Sequence, residues 1–439
     1  MKFTIFQSAK GDCLLLESDD KKRILVDGGM PDAYDDHVAP VLGRLRQQNV
    51  SLDLVYVSHI DQDHIAGVLK MLDDEAAWRV FEHQTSLGNT HAKQPDAPRP
   101  PKVKEIWHNA FHEQLNQNKG PIADMLAASA RILAASTSRE LRELAEAHAE
   151  LALSQMEAMR LSRRIGKGQL NIPLNPRSNG KLMFVRSGAG ALQMGRLKIF
   201  VIGPFEADLK ALRTKWNAWL RDNENQDRLR ALQRQSAEDE EDLGNDVSRL
   251  FREMELQAQV FGDRTKVTAP NLASLMLYVE EPRPTGGNRR YLLTGDGHWN
   301  DVLKGLRHHG KFDQTPEGLH VDVLKVQHHG SEHNWDVPFG KAVTADHYVL
   351  CGNGEHENPD LGVVQMILDS RLGSAARRSR NAETGNTFKL WFNSSSSASD
   401  QASAKQHMKK IEDLVTAAAN HAPRVKYQFL NQSSLKFSI

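Results

Sequence analysis

The chain has 439 residues and 56 basic against 56 acidic side chains, so its formal charge is zero. Its two cysteines, Cys13 and Cys351, exclude a disulfide scaffold and a cysteine-rich zinc module, and such sparse cysteine is typical of a reducing compartment. The sequence has no apolar run of about 18 residues and no signal-peptide pattern at its start, so it predicts a soluble cytoplasmic protein without a membrane segment. Zero charge argues against a uniformly basic nucleic-acid binder but allows a local basic groove.

Short apolar runs alternate with turns over the first hundred residues. Strands are predicted at residues 3–7, 13–18, 23–26 and 54–58, and helices at residues 38–48 and 65–72. Further strands are predicted at residues 197–202, 273–280, 290–294, 321–326 and 347–351. Residues 393–402 are serine-rich and predict a flexible loop.

Two stretches between these strands have helical periodicity. Residues 121–165 contain no internal glycine or proline, and their apolar side chains recur near 3.5-residue spacing; residues 208–260 are similar. We therefore predict an α/β core with largely helical insertions. The predicted divisions are a first half at 1–110, an insertion at 111–180, core strands at 181–205, a second insertion at 206–262, and a second half with a C-terminal extension at 263–439.

The segment Ser58-His59-Ile60-Asp61-Gln62-Asp63-His64 follows a predicted strand and precedes a predicted helix. Its four ligand-type side chains, His59, Asp61, Asp63 and His64, fall within six residues. A loop leaving a strand can direct them toward two adjacent metal ions. The alternative is a polar surface loop that caps the helix, with Asp63 as N-cap.

Other candidate groups stand at later strand ends. Asp296 lies in Thr-Gly-Asp-Gly, where a carboxylate flanked by glycines can bridge two cations, although such a motif can also be a simple turn. His328 and His329 begin the segment His-His-Gly-Ser, which ends at Ser331. His356 precedes a predicted helix start and is equally compatible with a capping loop.

The order of these motifs resembles the metallo-β-lactamase superfamily. They are GDCLLLES at 11–18, ILVDGG at 24–29, SHIDQDHIAG at 58–67, LLTGD at 292–296, LKVQHHGS at 324–331 and GEHENP at 354–359. Within the superfamily the chain is most similar to the soluble nuclease-like domain of ComEC-type DNA-uptake proteins. The resemblance covers residues 1–110, 181–205 and 265–365, and it implies an αββα sandwich with a dinuclear metal site at one edge.

The resemblance also implies roles for single residues. His59, Asp61, Asp63 and His64 would be metal ligands, Asp296 the bridging carboxylate, and His329 a late ligand. Asp27 resembles a structural aspartate that supports the metal loop from beneath.

The chain departs from the family pattern at two points. Asp61 stands where the wider superfamily has a second histidine, which favours Mn²⁺ as well as Zn²⁺ for the two divalent ions. The mid-chain histidine ligand has no clear counterpart. Either one metal has fewer protein ligands or His108 takes that place, and His108 is equally explained as an ordinary residue at a strand end.

Catalytic roles follow from the two ions. Asp61 or Asp63 would take a proton from the attacking water, and His328 or His356 would protonate the leaving group. His329 is the predicted ligand because His328 and His329 face opposite sides if the strand continues through them. Substrate contacts are predicted at Asn271, Ser274, Lys325 and Ser331. Asn271 and Ser274 are alternatively a strand cap.

We therefore predict a metal-dependent phosphodiester hydrolase, a nuclease acting on DNA or another nucleic acid. The basic clusters at 160–167 and 377–380 are candidate phosphate contacts or solvated helix ends. The alternatives are a small-molecule esterase or phosphodiesterase with a helical lid, and a platform that binds a protein partner through the helical insertions in a defence or signalling assembly.

Overall fold

The computed structural model describes residues 1–109, 157–158, 160–207, 209, 274–312, 317–399 and 401–439. The first sheet has the strand order β14-β1-β2-β3-β4-β5. Neighbours from β14 to β3 are antiparallel, and β3, β4 and β5 are parallel. Its strands are β1 (Lys2–Phe6), β2 (Leu14–Glu17), β3 (Arg23–Val26), β4 (Leu54–Tyr56), β5 (Ile106–Trp107) and β14 (Ser434–Ser438).

The second sheet has the strand order β13-β12-β11-β10-β9-β8-β7-β6. Strands β9 to β13 are parallel to one another. Beyond β9 the sheet continues with antiparallel pairs, β8 with β9, β7 with β8 and β6 with β7. The strands are β6 (Leu192–Met194), β7 (Leu197–Gly203), β8 (Met276–Pro282), β9 (Asn288–Leu293), β10 (Leu319–Lys325), β11 (Val343–Leu350), β12 (Phe388–Phe392) and β13 (Val425–Phe429).

Both faces of strands β2, β3 and β4 are buried, so these strands are near-continuous apolar runs. In β3, Ile24 and Val26 point into the core between the two sheets, and Leu25 points into a second core on the outer face. The core between the sheets includes Phe3 and Tyr56 from the first sheet and side chains of β7 to β12 from the second. The sheets therefore pack face to face.

Helices cover the outer face of each sheet. The first sheet carries α1 (Pro31–Ala33), a π turn (Tyr34–Val38), α2 (Ala39–Gln47) and α3 (Gln62–Ser86). The second carries α4 (Trp299–His308), α5 (Val337–Ala342), α6 (Leu361–Leu372) and α7 (Ala402–His421). The layers follow the order αββα, which confirms the predicted fold class.

The C-terminal part belongs to this sandwich. Strand β14 pairs with β1, and β12 and β13 extend the second sheet. The expectation of a flexible loop at residues 393–402 is wrong over its described part, because Asn393 is buried and donates to Ser8 Oγ at 2.9 Å, and Ser399 Oγ donates to the Asn353 carbonyl. The serine-rich composition of this segment does not indicate these hydrogen bonds, because their partners lie far away in the sequence.

Most of the predicted helical insertions, including residues 111–156 and 210–262, lie outside the described residues. The described residues 160–165 are helical, and Leu161 and Ile165 pack into the outer core of the first sheet. Among the described helices, none is both long and apolar enough to cross a bilayer.

Candidate metal centre

The loop between β4 and α3 carries the densest group of predicted ligands. His59 is buried just after β4, Asp61 is the N-cap residue of α3, and Asp63 and His64 lie in the first helical turn. Neither aspartate caps the helix through its side chain, because the N-cap is Asp61 and its side chain makes no capping hydrogen bond. The carboxylates of Asp61 and Asp63 are therefore available for interactions other than helix capping.

Asp27, at the end of β3, supports this loop from beneath. Its Oδ1 accepts from the Ser58 backbone N–H at 2.7 Å, and its Oδ2 accepts from Ser58 Oγ at 2.8 Å. The same Oδ2 lies 3.0 Å from His64 Nδ1, so the imidazole donates from Nδ1 and presents Nε2 to the site. Ser58 Oγ also lies 3.1 Å from Nδ1 of His59.

Glycines allow the backbone to approach this loop closely. A Cβ on Gly11 would lie 1.9 Å from the Asp63 carbonyl oxygen, and a Cβ on Gly28 would lie 2.2 Å from the Val68 nitrogen. Any larger residue at either position would displace the start of α3. The segments around residues 11 and 28 thus set the position of the metal loop.

The second sheet contributes Asp296 and the histidine pair. Strands β9 and β10 are parallel, with Leu293 paired to Lys325, so the segments that follow them meet at one edge. The expected opposite orientation of His328 and His329 is not found, because β10 ends at Lys325. Both histidines adopt left-handed conformations, with φ of 44° and 54°, and both rings face Asp296.

Four imidazoles surround the Asp296 carboxylate. Its Oδ1 lies 3.4 Å from His64 Nε2, and its Oδ2 lies 3.5 Å from the Nε2 atoms of His59 and His329 and 3.6 Å from that of His328. His64 Nε2 and His329 Nε2 are 3.3 Å apart. Two ligand atoms on a tetrahedral zinc ion are also separated by roughly 3.3 Å.

The loop carboxylates complete the group. Asp61 Oδ2 lies 3.4 Å from His59 Nε2, and Asp63 Oδ2 lies 3.0 Å from His329 Nε2. Asp61 and Asp63 keep 30% and 17% of their side chains exposed, so they stand at the open side of the site. The structure therefore brings all six predicted metal ligands together.

The residues present fit a metal centre. His59 Nε2 and Asp296 Oδ1 are buried and have no hydrogen-bond partner in the described chain. His59, His64 and Asp296 form a buried group that can hold an ion. A second such group joins Asp12 to His64 and His329. That group is the weaker candidate because Asp12 faces the Nδ1 atoms of both histidines, and these atoms already face Asp27 and the Cys351 carbonyl.

The electrostatics of the site favour a cation. Burial opposes the charged form of Asp296, yet His64 and His329 outweigh it and hold the pKa of this carboxyl well below its ordinary value. Burial lowers the pKa of His64 and His329, but the surrounding carboxylates, Asp296 foremost, raise both well above the usual value. Bound divalent ions would neutralise the same carboxylates.

Asp12 is not among the site residues predicted from the sequence. Its carboxylate is buried and forms an ion pair with the equally buried Lys325. Asp12 Oδ1 also lies 3.2 Å from His329 Nδ1. The motif GDCLLLES contains Asp12, but only the tertiary structure shows that it lies directly beneath the histidines.

Two predicted substrate contacts lie below the site. Lys325 was expected to meet a substrate phosphate, but it is 2% exposed and its ammonium group contacts Asp12 and the Gly295 carbonyl. Ser274 is 1% exposed, and its hydroxyl has no hydrogen-bond partner in the described ranges.

The other predicted residues are distributed differently. Ser331 is buried and shapes the histidine turn, since its N–H donates to the His328 carbonyl at 2.8 Å. His356 is exposed in a turn beside a different cavity, and the described residues give it no contact with the site. Asn271 lies outside the described residues. His108 is buried at the end of β5, with its backbone held by Asn175.

The four-layer sandwich carries, at its strand ends, a buried histidine–aspartate cluster that could hold a metal ion. Residues 9–112 match the family model of the metallo-beta-lactamase superfamily, whose members are mostly metal-dependent hydrolases. The matched segment includes Asp27 and the whole loop from His59 to His64. None of the curated proteins matches the chain.

Proposed function

We propose that this protein is a dinuclear-metal phosphodiesterase, and specifically a nuclease that cleaves DNA or another nucleic acid. The observation that carries the proposal is the convergence of the Nε2 atoms of His59, His64 and His329 on the two oxygens of Asp296. A carboxylate whose two oxygens face different imidazoles is suited to bridge two cations.

The chain supplies ligands rather than a nucleophile. Cys13 and Cys351 are buried, and burial raises the pKa of both thiols well above the ordinary value, so neither is a reactive thiolate. Ser58 Oγ donates to Asp27. Two divalent ions in this site would activate a water and stabilise the attacking and leaving oxygens of a phosphoryl group.

The donor set supports a phosphodiester substrate. Asp61, Asp63 and Asp296 place three carboxylates beside the imidazoles, and oxygen donors suit Mn²⁺ as well as Zn²⁺. His328 is the most exposed of the four histidines, at 25%, and Asn334 Oδ1 accepts from its Nδ1 at 2.7 Å. Its Nε2 lies 3.6 Å from Asp296 Oδ2, and in the imidazolium form, with a proton on both ring nitrogens, it would donate a proton to the leaving oxygen.

The test is cleavage by purified protein loaded with Mn²⁺ or Zn²⁺. Linear, circular and single-stranded DNA are assayed beside a nitrophenyl phosphodiester and a carboxylic ester. We expect DNA cleavage, its loss in the Asp63→Ala/His64→Ala variant, and its retention in His356→Ala, which changes an exposed histidine without contact to the site. Turnover of a small ester without cleavage of any nucleic acid would refute the nuclease proposal.

A further inference from the structure

A basic cavity lies at the edge of the second sheet opposite the candidate metal centre. Its volume is about 430 Å³, and its lining includes Arg371, Arg378, Arg380 and Arg424. Arg371 donates to the carbonyl of Ala345 near the start of β11, and His329 faces the carbonyl of Cys351 just after the end of β11. A strand rises about 3.3 Å per residue, so roughly 20 Å separates the two sites.

Within the described ranges, none of these four arginines makes an ion pair. Arg371 is fully buried and donates only to backbone carbonyls, and Arg424 donates to the carbonyls of Gly385 and Arg371. The side chains of Arg378 and Arg380 are exposed and make no hydrogen bond in the described part of the chain.

Carbonyl oxygens orient a guanidinium group without cancelling its charge, and a buried charge is costly unless it is paired. The carboxylate of Asp346 interacts electrostatically with Arg371, but it is paired with His320 at 3.2 Å. The cavity therefore has an excess of positive charge that an anion would neutralise.

A buried hydroxyl gives independent evidence for a ligand. Thr384 lines the cavity and is 6% exposed, and its Oγ1 has no hydrogen-bond partner in the described residues. A buried polar group without a partner is costly, so such groups are normally satisfied. An acceptor oxygen of a bound anion would satisfy this hydroxyl.

We infer that this cavity binds a phosphate group, supplied either as free phosphate or by a small phosphate ester. Guanidinium groups recognise phosphate oxygens through paired, charge-assisted hydrogen bonds. The volume falls within the range of roughly 300–1,000 Å³ typical of small-ligand sites. This site goes beyond the proposed function because it lies apart from the metal ligands.

The test is calorimetric titration of the full-length, metal-loaded protein with inorganic phosphate and, separately, with adenosine monophosphate at constant ionic strength. The test variant is Arg378→Gln/Arg380→Gln, which changes two exposed side chains. The matched control is Arg377→Gln, because Arg377 belongs to the same basic run but pairs with Asp369 at 2.7 Å and does not line the cavity. Thr384→Val removes the hydroxyl while keeping the shape.

We expect the double variant to bind phosphate at least about tenfold more weakly, because it loses charge-assisted hydrogen bonds that contribute to the free energy of phosphate binding. Thr384→Val should also weaken binding, and Arg377→Gln should bind like the wild type. Asp296→Asn separates this site from the metal centre, because binding in the basic cavity survives that change. Tighter binding of adenosine monophosphate identifies an ester as the ligand, and equal binding identifies the phosphate group itself.

The absence of phosphate binding in the wild type would overturn the inference. So would an equal loss in Arg377→Gln and the double variant, which would show only a general effect of charge. Complete loss in Asp296→Asn would assign the phosphate to the metal centre instead. The titration measures binding and does not depend on hydrolysis, so its result can be interpreted even if the proposed nuclease activity is not found.

Discussion

The buried ion pair between Lys325 and Asp12 supports the floor of the candidate metal centre. Both side chains are at most 2% exposed. Burial opposes the charged form of Asp12, but Lys325 and His329 outweigh it and lower the pKa of Asp12 to about 2. Replacing Lys325 with methionine preserves much of the side-chain volume and removes the ammonium partner of the Asp12 carboxylate, which keeps only His329 beside it.

Breaking a buried pair by removing one partner costs about 3–5 kcal/mol, since the remaining charge stays desolvated and loses its ion-pair partner. We therefore expect Lys325→Met to lower the free energy of unfolding by about this amount. Removing the second charge as well, in Asp12→Asn/Lys325→Met, should recover at least about 1 kcal/mol, because the two effects are coupled.

The assay is urea unfolding of the metal-free protein, followed by tryptophan fluorescence, so that differences in metal affinity do not enter the result. Lys104→Met is the matched control, because its partner Asp53 lies 2.7 Å away but the lysine is 58% exposed. The control should change stability by less than about 1 kcal/mol. If Lys325→Met proves as mild as the control, or if the double variant recovers nothing, the reasoning about the buried charge is refuted.

Three further predictions concern the same region. Asp27→Ala should weaken metal binding about 10–100-fold, measured by chelator competition, because His64 loses the acceptor that orients it; unchanged affinity would contradict that role. Asp296→Ala should reduce bound metal from about two ions per chain to one or none by elemental analysis, and retention of both would exclude a bridging role. Burial raises the pKa of Glu157 from 4.5 to about 7, so its neutral form favours folding and that stability is lost as the pH rises from about 4.5 through 7. Glu157→Gln should therefore be more stable than the wild type at pH 8, by about 2 kcal/mol in urea unfolding, with little difference at pH 4.5; a pH-independent difference would contradict the burial argument.

Local patterns were sufficient to predict most strands and the motif that follows β4. The predicted strand at residues 54–58 contains the observed Leu54–Tyr56, and the ligand-rich loop follows it as expected. A strand end and a helix start are encoded by neighbouring residues, so such elements can be read from short segments. The C-terminal strands β12 to β14 were not predicted individually, although two of them extend the second sheet and one pairs with β1.

Other features of the site depend on contacts that local patterns do not specify. The turn that brings His328 beside His329 requires two left-handed residues after β10 ends. Lys325, which belongs to the same motif as the histidine pair, was predicted to contact substrate. Its ammonium group contacts the buried Asp12 instead.

The sequence by itself determined which side chains are available: a cluster of histidines and aspartates after β4, a carboxylate after β9 and a histidine pair after β10. The tertiary structure decided which of them meet. His64 and His329 are 265 residues apart in the chain, yet their Nε2 atoms lie within 3.3 Å. That distance is set by the packing of two sheets and by the register of parallel strands within one of them, neither of which any local stretch of sequence specifies.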